Sequence, residues 1–118
     1  MILWLYGKIP NMKIDSIKTH KITHEDKDIL AVIDKYVLTV SENSIIVVTS
    51  KSVSICEGNT IPLGDIEKDD LVINQSDKYL PKEGNTFNLF VTLKNNILAV
   101  NAGVDESNSN DGYILWPK

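Results

Sequence analysis

The residue types best suited to chemistry are gathered in residues 101–108, which read Asn-Ala-Gly-Val-Asp-Glu-Ser-Asn. Asp105 and Glu106 supply carboxylates, Asn101 and Asn108 amides, and Ser107 a hydroxyl, all around Gly103. Carboxylate oxygens on a loop at a strand end suit a hard cation such as Mg2+ or Mn2+, and neighbouring amides and hydroxyls orient a phosphate or a base. The same composition describes an ordinary surface turn, because Asp, Asn, Ser and Gly dominate turns for conformational reasons. A second candidate is Thr-Ser-Lys-Ser at 49–52, directly after a β-branched run. A strand that delivers hydroxyls and backbone N–H groups to a helix start is a workable anion site, and Lys51 adds a point charge. The glycines of a phosphate-binding loop are missing there, and a capping serine is the plain alternative.

Other reactive side chains point less clearly to a site. His20 and His24 are four apart, but His20 falls in or just after an expected strand, where that spacing does not bring the rings together. No acid or cysteine completes a zinc set around them. Cys56, the single cysteine, lacks the basic or histidine context of a nucleophile and reads as a small buried side chain. The acidic pairs Glu25-Asp26 and Asp69-Asp70 read as helix faces rather than paired catalytic carboxylates.

These residues need elements to position them. Imperfect alternation suggests a strand over 13–18, followed by acids at 25 and 26 that mark a helix start. From Asp28 the apolar residues Ile29, Leu30, Val32, Ile33, Tyr36 and Val37 keep helical spacing. Residues 44–49, Ser-Ile-Ile-Val-Val-Thr, form a β-branched run that predicts a strand covered on both faces. A helical turn over 53–57 is stopped by Gly58, and 58–64 reads as a loop. Asp65 is then expected to cap a helix over 66–79, weakened internally by Val72-Ile73-Asn74 and ended by Pro81. Residues 86–93 and 97–101 flank Asn95-Asn96, which tolerates positive φ, so a β-hairpin is expected there. A polar loop over 102–112 leads to a last strand over 113–116. The expected fold class is α+β: a mixed, largely antiparallel sheet with two helices packed on it.

Composition bounds the function. The 118 residues suit one domain, and 42% hydrophobic and 24% charged residues exclude disorder and fibrous repeats. A net charge of -4 argues against a nucleic-acid-coating surface. All 12 basic residues are lysine, so no guanidinium fork can clamp a phosphate. The apolar residues 1–6 are too few for a signal core or a membrane span and lack a basic lead, so no membrane association is expected. Residues 1–12 read as a leader or an extra strand, 13–118 as the domain, and the cytoplasm as the default compartment.

Four pieces occur in an order that resembles the coenzyme F420-0:L-glutamate ligase (γ-glutamyl ligase) family: Ile-Lys-Thr-His-Lys-Ile-Thr at 17–23, the stretch 44–58 ending in Glu-Gly, Asn-Ala-Gly-Val-Asp-Glu-Ser-Asn at 101–108, and Ile-Leu-Trp-Pro at 114–117. The likeness spans about 13–118 and corresponds to the N-terminal half of what the family usually encodes. It implies the N-terminal portion of that ligase fold, in an enzyme joining L-glutamate to the deazaflavin precursor F420-0. GTP would be co-substrate and Mn2+ or Mg2+ the cofactor. The implied route phosphorylates the acceptor carboxylate, and the glutamate amine then attacks the acyl phosphate; a metal neutralises charge on the transferring group. By match to the motifs, Asp105 is implied as a metal ligand. Asn108 and Ser50 are implied as nucleotide contacts, and His20, Lys21, Ile22 and Thr23 as lining of the nucleotide pocket. A homodimer is implied as well.

Two departures bear on this expectation. Ile55 stands where family members often carry a lysine that meets nucleotide phosphate, and Lys51 is available in its place. The family also continues past this length with further acidic, hydroxyl and glycine-containing segments. One carboxylate does not hold the metals that phosphoryl transfer needs, so this chain alone is expected not to turn over. The competing readings are a non-catalytic nucleotide- or deazaflavin-binding module and a structural or interaction remnant of the fold.

Overall fold

A computed structural model describes residues 13–106 and 112–118. The fold is α+β, with three α-helices and five short strands in two antiparallel sheets among the described residues. Helix α1 (Ile29–Tyr36) starts where Asp28 leaves extended backbone and its Oδ1 accepts from the Leu30 N–H at 2.9 Å. Helix α2 (Ser50–Cys56) is capped by Thr49, whose hydroxyl accepts from the Ser52 N–H. Strand β1 (Thr60–Pro62) follows, then α3 (Lys68–Asn74), with Asp69 and Asp70 in its first turn. Strands β2 (Lys78–Leu80), β3 (Val91–Lys94) and β4 (Ile97–Val100) form one sheet in that order. Strand β5 (Gly112–Ile114) returns to pair with β1.

Several expected elements are replaced. Residues 13–18 and 44–49 are not strands: no described segment pairs with them, and Ile45 and Val47 are 86% and 70% exposed. The acids at 25 and 26 belong to a turn, closed by the Asp26 N–H on the Thr23 carbonyl at 3.0 Å, and the helix waits for Asp28. The helix expected over 66–79 stops at Asn74, and residues 78–80 take strand form because Leu80 and Lys78 find partners in Val91 and Leu93. Within 58–64, residues 60–62 are a strand held by β5. Instead of one mixed sheet there are two antiparallel ones, since every paired strand among the described residues meets its neighbour head to tail.

The expected hairpin is present, although its first strand begins at Val91 rather than at 86. Asn95 and Asn96 both take positive φ, 51° and 62°, which matches the twist of the flanking strands. Its buried face carries Thr92, whose hydroxyl donates to the Ala99 carbonyl and accepts the Ala102 N–H, both at 2.8 Å. The core lies between α3 (Leu71, Val72), the residue before β3 (Phe90), the turn after β4 (Ala102, Val104) and β5 (Tyr113). That core fixes the turn from which the candidate site is built. Among the described residues no helix is long and apolar enough to cross a membrane.

Candidate functional site

The turn after β4 is unusual in its backbone. Asn101, Ala102 and Gly103 have φ of 51°, 51° and 73°, three successive left-handed residues. Such a path is costly for an alanine, and the surroundings compensate. The Asn101 N–H and side-chain oxygen bond the Phe90 carbonyl and N–H, at 2.9 and 3.0 Å. Ala102 is fully buried and Val104 closes back on the Asn101 carbonyl at 2.9 Å. The chain then runs alongside β5, where Asp105 and Ile114 exchange both backbone hydrogen bonds, at 2.9 and 2.7 Å. Asp105 is thereby held on a rigid backbone, with its side chain toward the start of α2.

There the Lys51 ammonium meets it. Lys51 Nζ lies 2.5 Å from Asp105 Oδ2, both side chains about one-third exposed. The pair stands beside a cleft of about 300 Å³ whose wall includes Ser50, Asn101, Gly103 and Trp116. A second cleft of about 280 Å³ lies against it, lined by Thr19, His20, Ile22, Thr49, Ser52 and Ile55. Lys51 and Ile114 line both. The structure therefore brings Ser50, Lys51 and Asp105 to one place and His20 and Ile22 next to it. Lys21 and Thr23 line neither cleft: Lys21 is exposed, and the Thr23 N–H is taken by Asp26 at 2.9 Å. Asn108 and residues 1–12 lie outside the described residues.

His20 is engaged on both ring nitrogens. Nδ1 is 2.8 Å from the Tyr36 hydroxyl and Nε2 is 2.8 Å from Asp26 Oδ1. The ring packs at a tilt on Tyr36, 5.5 Å between centroids. The Thr23 backbone N–H, and after it the His20 ring, hold the Asp26 carboxyl below its usual range. This Asp26–His20–Tyr36 chain pins the 19–26 segment to α1 and so shapes the wall of the second cleft. Asp26 and Tyr36 have no mark in the sequence beyond a helix-start acid and an apolar helix position. His24 is exposed and takes no part. Cys56 is buried and burial pushes its thiol up, as expected of an inert side chain.

The donor set bears on a divalent metal. Among the described residues Asp105 is the only carboxylate lining either cleft, and its oxygen faces an ammonium. Glu106 turns away to Lys68 at 3.0 Å. Among the described residues no group of three or more His, Cys, Asp or Glu side chains could hold an ion. These residues alone do not fit a Mg2+ or Mn2+ site, which wants several oxygens around the ion. Comparison with family models, curated proteins and solved structures finds no match for the chain.

Proposed function

We propose that this chain carries part of the nucleotide site of a γ-glutamyl ligase of the coenzyme F420-0:L-glutamate ligase type, in a cytoplasmic protein. The observation that supports the reading is the sharing of Lys51 and Ile114 by two adjoining clefts. Apart from Val100, the described walls of those clefts come from the four stretches that carry the resemblance, although those stretches are spread from residue 17 to residue 117. In this reading Lys51 supplies positive charge to the GTP phosphates, and the hydroxyls of Ser50 and Ser52 donate hydrogen bonds to them. Ile22 and Ile55 offer apolar wall. Mn2+ or Mg2+ remains the family's cofactor, with donors required beyond the described residues. L-Glutamate and a deazaflavin acceptor complete the proposed substrates.

One observation favours a second reading, a binding module without catalysis: the lone Asp105 carboxylate is already paired with lysine. A GTP titration of the full chain, followed by amide NMR, tests both. Expected are saturable shifts in residues 50–52 and 103–105, and about tenfold weaker binding in Lys51→Ala, the value of one charge-assisted hydrogen bond. Absence of saturable binding to millimolar GTP rejects both readings. Binding without glutamylation of F420-0 when the C-terminal half that the family usually encodes is supplied in trans selects the module.

The proposal includes a homodimer, supported by surface left uncovered. Leu80, Val91, Leu98 and Val100, on one face of the three-stranded sheet, are 64%, 38%, 75% and 54% exposed.

A further inference from the structure

Tyr36, His20 and Asp26 are joined in the order of a nucleophile, a base and an orienting carboxylate. Asp26 is fixed first: its Oδ2 accepts the Thr23 N–H at 2.9 Å, and its Oδ1 meets His20 Nε2 at 2.8 Å. An ionised carboxylate only accepts, so Nε2 carries the hydrogen of the neutral ring and Nδ1 presents its lone pair. That lone pair faces the Tyr36 hydroxyl at 2.8 Å. The Tyr36 oxygen also accepts the backbone N–H of His20 at 3.2 Å, so its own hydrogen is directed to Nδ1. The hydrogen bonds therefore run one way, from hydroxyl through imidazole to carboxylate, each within reach of proton transfer. The Lys35 ammonium, 5.3 Å from the centre of the Tyr36 ring, adds positive charge beside the phenol.

We propose that Tyr36 Oη is a nucleophile toward activated acyl groups, with His20 as its base and Asp26 as the positioning residue that sets the His20 tautomer. Oη attacks the carbonyl carbon of the donor while the Tyr36 proton moves to His20 Nδ1. An ester bond to Tyr36 forms, and the bond from carbonyl carbon to leaving group breaks, its electron pair going with the leaving group. His20 then gives the proton to the leaving group or to water. The imidazolium formed on the way lies against the Asp26 carboxylate, and the His20 backbone N–H stays on Oη as charge develops there. The donor class is activated esters and acyl phosphates, whose leaving groups depart as stable anions. His20 also lines the second cleft, which gives such a donor a surface beside the base. The step uses neither Lys51, Asp105 nor a metal, so it stands apart from the nucleotide reading.

The test is acetylation of the full chain by p-nitrophenyl acetate, followed tyrosine by tyrosine by peptide mass mapping over time. Tyr79 is the internal reference: it is 47% exposed, whereas Tyr36 is half-buried, so exposure alone makes Tyr79 the faster. Tyr36 is expected to react about tenfold faster than Tyr79 or more, below the ceiling of what a positioned base contributes. His20→Gln and Asp26→Asn are each expected to bring the Tyr36 rate down to that of Tyr79 or lower. Either substitution loosens the 19–26 segment and uncovers Tyr36, so a merely structural chain predicts a rise where the proposal predicts a fall. Tyr36→Phe should remove the fast site and leave Tyr79 unchanged. Two variants of the chain guard against one failing to fold. A wild-type Tyr36 no faster than Tyr79 overturns the proposal, as does an unchanged or higher Tyr36 rate in either folded variant.

Discussion

A β-carbon built on Gly103 would collide with the indole ring of Trp116. The ring therefore lies directly on the backbone of the left-handed turn, and only glycine leaves it room. Position 103 also needs φ of +73°, which disfavours any side chain. Gly103→Ala is expected to cost about 2–4 kcal/mol, the sum of left-handed strain and overpacking. The check is the urea midpoint. Trp116→Ala in the same background should recover the overpacking part and leave the strain.

Thr92 links the hairpin to that turn. Its hydroxyl is 1% exposed as part of a buried residue and satisfies both the Ala99 carbonyl and the Ala102 N–H. Thr92→Val keeps the shape and leaves the Ala102 N–H buried without an acceptor, so a loss of about 1–3 kcal/mol is expected. Thr92→Ser keeps the hydroxyl and should lose less. Hydrogen exchange at Ala102 distinguishes the two: protection should fall sharply only in the valine variant.

Asp26 gives a pH dependence with a definite sign. Its carboxyl is held low in the folded protein by the Thr23 N–H and by His20. The unfolded chain therefore takes up the proton first, and stability is retained above the ordinary aspartate value of about 3.9 and lost as pH falls through the lower folded value. Asp26→Asn should flatten the stability profile below that pH. Thermal unfolding measured between pH 3 and 6 checks it; parallel profiles for wild type and variant would refute the assignment.

Ser54 sits fully buried on α2 with its hydroxyl lacking a hydrogen-bond partner among the described residues. Ser54→Ala removes a desolvated polar group and creates almost no cavity. The expected result is neutral to about 1 kcal/mol more stable. A clear loss of stability in urea would show that the hydroxyl has a partner in the native protein.

The sequence is informative where structure is local. Asn95-Asn96 carries its own turn geometry and the apolar spacing from Ile29 its own helix, so the hairpin and the body of α1 were legible, whereas the start of α1 was expected at 23–26 and α2 only as a turn over 53–57. Residues 44–49 show the opposite case. A β-branched run declares a preference for strand, but a strand exists only when a partner pairs with it, and the partner is not written in the run itself. The same holds in reverse for residues 78–80, which read as helix end until β3 supplies a ladder. At the site, Asp105 and Ser50-Lys51 were legible as separate loops because their residue types suggest chemistry. Their meeting was not, since it depends on the pairing of Asp105 with Ile114. His20 stood out by type, whereas Tyr36, sixteen residues along and on a helix face, gave no sign that its hydroxyl would meet the ring.

The uncovered sheet face carries the last prediction. Leu80, Val91 and Val100 are aligned across the three strands, and Leu98 lies one pair further on the same face. Leu98 alone is 75% exposed. Burying such a face in a second copy is therefore expected, with sedimentation equilibrium giving a dimer at micromolar concentration. Leu98→Lys places an ammonium on this face, at its β4 edge, and should shift the protein to monomer. Because the residue is exposed within the chain, the same substitution should leave the urea midpoint at low protein concentration almost unchanged. A wild type that sediments as a monomer at high micromolar concentration would remove the homodimer from the proposal.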